Sequence, residues 1–226
     1  MLVTIADILS PQQAATCREA LMAAEWIDGR LTAGHQSAHV KHNDQLATRD
    51  PLTHRLGDMI LRALEQSPRF IAAALPLKVL PPRFSRYTDG QSFGTHVDNA
   101  IVQFGDTPHR LRSDLSATLF LGDPASYDGG ELVVEDIYGA HAVKLPAGHM
   151  VLYPASSLHR VTPVTRGSRL AAFLWIQSMV RDDGRRALLY DLDVAIQHLS
   201  AALPKHPAVT QVTGVYHNLL RGWAET

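Results

Sequence analysis

Residues 93–101 read FGTHVDNAI and place His96 and Asp98 two positions apart. Along a β-strand, side chains alternate faces with a period of two, so the imidazole and the carboxylate would point the same way. Such a pair can hold a metal ion, share a proton, or simply hydrogen-bond beside a turn. A further histidine, His159, opens the strand-like run LHRVTPV after a polar turn. Two histidines and one carboxylate form a facial triad, which occupies one face of an octahedral iron(II) ion and leaves the other face open for a co-substrate and O2. Ten residues further on, Arg169 follows the tight turn TRGS, which in an antiparallel fold can bring it back alongside the strand of His159. Its guanidinium suits the far carboxylate of a chelating oxo-acid through a bidentate, charge-assisted pair.

These residues need strands to hold them, and the middle of the chain supplies the pattern. From Leu77 onward come short runs rich in strand formers: KVLPPRFSRYT, SFGTHVD, LSATLFL, GELVVED, AVKLP, HMVLYP, LHRVTPV and RLAAFLWIQS. Turn-forming clusters such as TDGQ, GDPASYDGG and PAGH separate them. Roughly eight short strands without intervening helices argue for a β-sandwich or barrel, the double-sheet jelly roll first. Both flanks read as helical. Ser10-Pro11 looks like an N-cap with proline at the first helical position, Ala14, Cys17, Leu21 and Ala24 recur at helical spacing, and Gly29 closes the helix. A second helix is expected from Pro51 to Ala74, bent or restarted at Pro68, and two more follow Asp182 with a break at Pro204–Pro207. The expected architecture is mainly β with flanking helices (α+β), a double-stranded β-helix core. It divides into an N-terminal helical region (1–77), the jelly roll (78–178) and a C-terminal helical extension (179–226).

Composition narrows the function classes. The formal net charge of −1 over 226 residues implies no basic field for nucleic acid. One cysteine, Cys17, allows no disulfide within the chain, and its place on an apolar helical stripe marks it as core. The start MLVTIADILSPQQ lacks the basic and apolar regions of a signal peptide, and no run is apolar enough to cross a bilayer. A cytoplasmic protein with neither a membrane nor a nucleic-acid partner is expected.

The stretches RYTDGQSFGTHVDNA, YDGGELVVED and LHRVTPVTRGSRLAAFLWIQS resemble the iron(II)/2-oxoglutarate-dependent dioxygenases of the prolyl 4-hydroxylase type, and among them the bacterial PKHD-type hydroxylases. The segment WIDGRLTAGHQSAHVKHNDQL and the C-terminal helices resemble the same subfamily, so the likeness spans nearly the whole chain. The resemblance implies that His96, Asp98 and His159 are iron ligands, that Arg169 pairs with the 2-oxoglutarate carboxylate, and that Tyr87 lines the co-substrate pocket. Asp98 stands where halogenating relatives have a small residue, which favours hydroxylation. The implied activity consumes O2 and 2-oxoglutarate, releases succinate and CO2, and hydroxylates a small-molecule or peptidyl substrate. L-Ascorbate is implied as an accessory reductant, and iron uptake as the physiological setting.

Other polar residues are weighed against this site. His35, His39 and His42 would suit a second metal only if helical, and a solvated polar loop is the expectation. Lys41, Asn43 and Gln45 of the same segment are expected at the pocket mouth. His109 reads as part of a surface loop, and Gly129 and Gly130 as a hairpin turn. The C-terminal helices would either cap the site or form a homodimer interface. A non-catalytic module sensing iron or 2-oxoglutarate, and a cupin-like zinc or manganese enzyme, are the competing readings. The latter leaves Arg169 without a purpose.

Overall fold

The computed structural model of the chain describes residues 1–32, 39–103 and 110–226. Among the described residues, five α-helices flank two large antiparallel sheets, and two further strand pairs lie beside them. Helix α1 (Pro11–Met22) begins with a capping box: the Gln13 amide donates to Ser10 Oγ, and the Ser10 amide donates to Gln13 Oε1. It ends at Met22, ahead of the expected Gly29. Gly29 serves a different purpose: it lies so close to Asn43 that a Cβ there would meet the Asn43 side chain at 1.9 Å. Helices α2 (Pro51–Glu65) and α3 (Pro68–Ala74) are capped by Asp50 and Ser67, each followed by proline in the first turn. The break between them falls at Pro68, as its missing amide requires.

The larger sheet has the order Val3–Ile5, Met150–Pro154, Leu115–Phe120, Arg169–Ser178, Arg83–Tyr87, Asp44–Gln45, Ile27–Asp28, with Pro76–Val79 also paired to Arg169–Ser178. The smaller has the order Gly139–Val143, Leu132–Asp136, His159–Val161, Ser92–His96, Lys41–His42. Together they form an open jelly roll rather than a closed barrel. Segments before residue 77 therefore add edge strands to both sheets. These strands are only two or three residues long, too short to leave a period-two signature.

The outer face of the larger sheet packs on the N-terminal helices. Leu170, Ala172, Leu174 and Ile176 alternate along one strand and bury against Leu56, Ile60 and Leu64 of α2 and Cys17 and Leu21 of α1. Each large aliphatic side chain so buried contributes roughly 1.5–3 kcal/mol relative to exposure. The alternate residues Arg169, Ala171, Phe173 and Trp175 face inward and line a cavity between the sheets. The C-terminal helices α4 (Asp183–Ala202) and α5 (Pro207–Trp223) form a satellite core around Leu75, Val180 and Leu189, joined by Leu219, Leu220 and Trp223. No residue of either helix lines the cavity, so neither caps it.

Candidate active site

The cavity, of about 370 Å³, opens between the inner faces of the two sheets. Strand alternation fills its wall on the larger sheet: Arg83, Ser85 and Tyr87 from one strand, and Arg169, Ala171, Phe173 and Trp175 from its neighbour. Segment 41–45 crosses from the smaller sheet to the larger, and Lys41, Asn43 and Gln45, all buried, face inward at that crossing.

His96 and His159 are direct cross-strand partners, with ring centroids 4.2 Å apart. His96 ends its strand and Asp98 lies just beyond it, so the chain turn rather than strand alternation presents the carboxylate. One potential ligand atom from each of His96, Asp98 and His159 lies within 4.8 Å of the others, and no other metal-competent cluster occurs among the described residues. Backbone carbonyls and strand neighbours hold these three side chains in place. Nδ1 of His96 donates to the Gly94 carbonyl at 2.8 Å, and Nδ1 of His159 donates to the Ser157 carbonyl at 3.0 Å. A carbonyl only accepts, so Nδ1 of each ring carries a proton and Nε2 is the ring atom left to ligate. Ser116 Oγ, from the opposite sheet, donates to Asp98 Oδ2. Phe93 stacks on His96 with centroids 3.6 Å apart, and Tyr153 meets His159 edge-on. Burial, helped by the neighbouring His159, pulls the His96 imidazole down to about 4, so it is neutral and able to ligate at physiological pH.

Arg169 lies at the other end of the cavity. The expected return beside the His159 strand does not occur. The strand Val164–Arg166 pairs with Asp128–Gly129, and the TRGS turn then delivers Arg169 to the opposite sheet, in register with Tyr87. The physical reason is that two packed sheets exchange chain at their corners. Arg169 is only 2 % exposed, yet its side chain makes no hydrogen bond or ion pair among the described residues, and its Nε is buried without a partner. Its guanidinium sits 5.3 Å from the ring centroids of both Tyr87 and Phe120. Burial pushes the Tyr87 phenol up, so it stays protonated. A buried guanidinium without an anion is costly, and the cavity is where an anion can reach it. Gly130 packs behind it: a Cβ there would meet Arg169 Cδ at 3.0 Å and Val164 Cγ2 at 2.9 Å. Gly129 thus ends a register-shifted strand pairing and Gly130 directly follows it, rather than the two forming the expected hairpin turn, and both have positive φ.

The sequence reading missed Ser116, Phe93 and Tyr153. Ser116 sits in LSATLFL as an ordinary strand residue, and only the facing of the two sheets reveals its contact with Asp98. Trp175 is cavity wall. Of the second histidine group, His39 and His42 are exposed and join no metal-competent cluster, while His35 lies outside the described residues, as does His109. Cys17 is buried in the helical core.

Residues 82–177 match the 2OG-Fe(II) oxygenase superfamily, and residues 183–225 match the PKHD-type hydroxylase C-terminal domain. A PKHD-type hydroxylase of Parvibaculum lavamentivorans is 58% identical over 226 residues, covering all of both chains, and one of Burkholderia lata is 61% identical over the same length. The chain belongs to the PKHD-type hydroxylase family. As such it is an iron(II)- and 2-oxoglutarate-dependent dioxygenase. Among solved structures, a Pseudomonas putida prolyl-4-hydroxylase shares the fold with a TM-score of 0.54 at 20% identity, covering 78% of this chain and 92% of the other. HygX of Streptomyces hygroscopicus, solved with nickel, 2-oxoglutarate and hygromycin B bound, gives 0.51 at 16% identity over 79% of this PKHD-type chain and 84% of its own. The residues present fit the family's cofactors. The donor set is two imidazoles and one carboxylate, and the buried side chain of Arg169 has no anionic partner among the described residues. Among the described residues, no helix is long and apolar enough to cross a membrane.

Proposed function

We propose that His96, Asp98 and His159 hold the iron(II) of this PKHD-type hydroxylase, and that Arg169 anchors the distal carboxylate of 2-oxoglutarate, with Tyr87 lining that end of the pocket. The observation that carries the reading is the fully buried, unpaired Arg169 guanidinium in the same cavity as the triad. The fixed Nδ1 protons orient both imidazoles, and Ser116 restrains the carboxylate, so the ligand set is preorganised. The rings of Tyr87 and Phe120 flank the guanidinium of Arg169, which lines the cavity. Bound iron(II) supplies the O2 activation that couples decarboxylation of 2-oxoglutarate, to succinate and CO2, with hydroxylation of a substrate C–H bond. The apolar walls, Phe93, Leu132 and Val161, keep bulk water from the reacting centre. A reducing, cytoplasmic setting is part of the proposal, and ascorbate is the accessory reductant to include in assays.

Anaerobic titration of the apo-protein with iron(II) and then 2-oxoglutarate tests the assignment. A weak visible charge-transfer band that needs both additions, and is missing in His96→Ala, is the expected result. Iron binding that survives His96→Ala unchanged would move the metal site elsewhere.

A further inference from the structure

Asn43 is a buried polar side chain for which neither the triad nor Arg169 accounts. It is 3 % exposed and lines the cavity where the chain crosses from the smaller sheet to the larger. Neither its Oδ1 nor its Nδ2 makes a hydrogen bond among the described residues. Its backbone is clamped on both sides. His42 pairs with Ser92 of one sheet and Asp44 with Arg86 of the other, and the Gly29 amide donates to the Asn43 carbonyl at 2.8 Å. The Asp44 carboxylate accepts from Arg86 Nη2 at 2.8 Å and from Gln91 Nε2 at 3.2 Å. Gly29 makes room for the side chain, because a Cβ there would collide with Asn43 Oδ1. A carboxamide without hydrogen bonds on so fixed a backbone costs free energy in the free protein, and a contact completed on binding returns it.

The strand register identifies that contact. Asp44 lies opposite Arg86 and Gln45 opposite Ser85, so the antiparallel pairing brings Asn43 next to Tyr87. On its other side Tyr87 lies opposite Arg169. Asn43, Tyr87 and Arg169 therefore form one row across the larger sheet, at the end of the cavity assigned to the distal carboxylate. Burial pushes the Tyr87 phenol up, and the Arg169 guanidinium and the Asn43 amide act in the opposite sense, as groups beside the phenol oxygen do. A carboxylate has more acceptor positions than one bidentate arginine fills, so the row can offer it a further donor. A phenol has a single proton to donate, and once that proton is turned onto an anion its oxygen is free to accept from behind.

We propose that Asn43 is a positioning residue for 2-oxoglutarate: its Nδ2 donates to the Tyr87 phenol oxygen, and the phenol donates its proton to the distal carboxylate that Arg169 holds. The amide orients the phenol and polarises it, so the two hydrogen bonds in series strengthen one another. The inference rests on the reading of Arg169 as the co-substrate anchor and extends that anchor to the crossing segment.

The test uses full-length protein loaded anaerobically with iron(II), with binding read from the charge-transfer band. It compares 2-oxoglutarate with 2-oxopentanoate, which keeps the chelating end and lacks the distal carboxylate. Asn43→Leu should weaken 2-oxoglutarate by about tenfold and leave 2-oxopentanoate unchanged, because the amide acts only on the distal end. In a Tyr87→Phe background the same substitution should change 2-oxoglutarate affinity by less than about twofold, since the phenol that transmits the effect is gone. Asn43→Ala, which introduces no bulk, gives the same comparison if the leucine variant does not fold. Wild-type 2-oxoglutarate affinity in either folded variant overturns the proposal. Equal weakening of both oxo acids overturns it too, because that is the mark of a loosened pocket. A full effect of Asn43→Leu that persists without the Tyr87 hydroxyl shows that the amide does not act through the phenol; the proposal then fails while the Arg169 anchor stands. Absence of the band in the wild type would remove the metal assignment, and this inference with it.

Discussion

Arg169 shows how a single residue can work against the stability of the fold it serves. A buried cation without a counter-ion costs free energy in the apo-protein, and the bound anion returns it. Arg169→Met keeps the aliphatic contacts and removes the charge. We expect its apo form to melt at or above the wild-type temperature, while 2-oxoglutarate affinity drops by roughly two orders of magnitude and iron affinity changes little. Equal loss of iron and 2-oxoglutarate binding would sink the assigned role, and a lower melting temperature would show that the guanidinium is satisfied in the free protein. His96, Asp98, His159 and Arg169 could be named from the sequence by type, by spacing and by the family resemblance, and the structure brings all four to one cavity. Ser116 could not be named, because a serine in a strand is unremarkable until the opposite sheet brings Asp98 to it. For the same reason the turn before Arg169 could be read from TRGS, but not the sheet it leads to.

At the scale of elements, the strands Leu115–Phe120 and Arg169–Ser178 were readable because they are long enough to show composition and turn boundaries. The pairs Ile27–Asp28, Lys41–His42 and Asp44–Gln45 were not, since two residues carry no period. Yet Lys41, Asn43 and Gln45 could be expected at the pocket by type alone, and all three line it. The pairing of Asp128–Gly129 with Val164–Arg166 is the device that sets Arg169, and Gly130 is its tight point. At φ +67 and with neighbours closer than 3.2 Å, a methyl group has no room there. Gly130→Ala should lower stability by about 1–3 kcal/mol and weaken 2-oxoglutarate binding more than iron binding. A variant with wild-type 2-oxoglutarate affinity would show that the Gly130 contact does not position Arg169.

For the whole molecule, the C-terminal helices attach through a few polar ties as well as an apolar patch. Arg186, 1 % exposed, donates from Nη1 to the Val180 carbonyl and from Nη2 to Asp183, each at 2.7 Å. Arg112 pairs with both Asp114 and Glu225, closing the far end of the pair. Arg186→Leu should cost about 2–3 kcal/mol and expose α4 and α5 to proteolysis before the jelly roll, with the iron and 2-oxoglutarate band retained. Simultaneous loss of the band and of the helices would mean that the helices and the site form one cooperative unit. The strand Arg169–Ser178 runs from Arg169, the proposed anchor of the co-substrate, past Phe173 and Trp175 to the root of the helices. From Arg169 to Trp175 it spans roughly 20 Å at about 3.3 Å per residue. It is a ruler with fixed marks: slipping it by one residue would turn Leu170 and Leu174 inward and hide every polar mark. On the proposed assignment, side-chain changes along this strand alter the wall of the cavity, whereas moving that wall relative to the co-substrate anchor requires rebuilding the sheet.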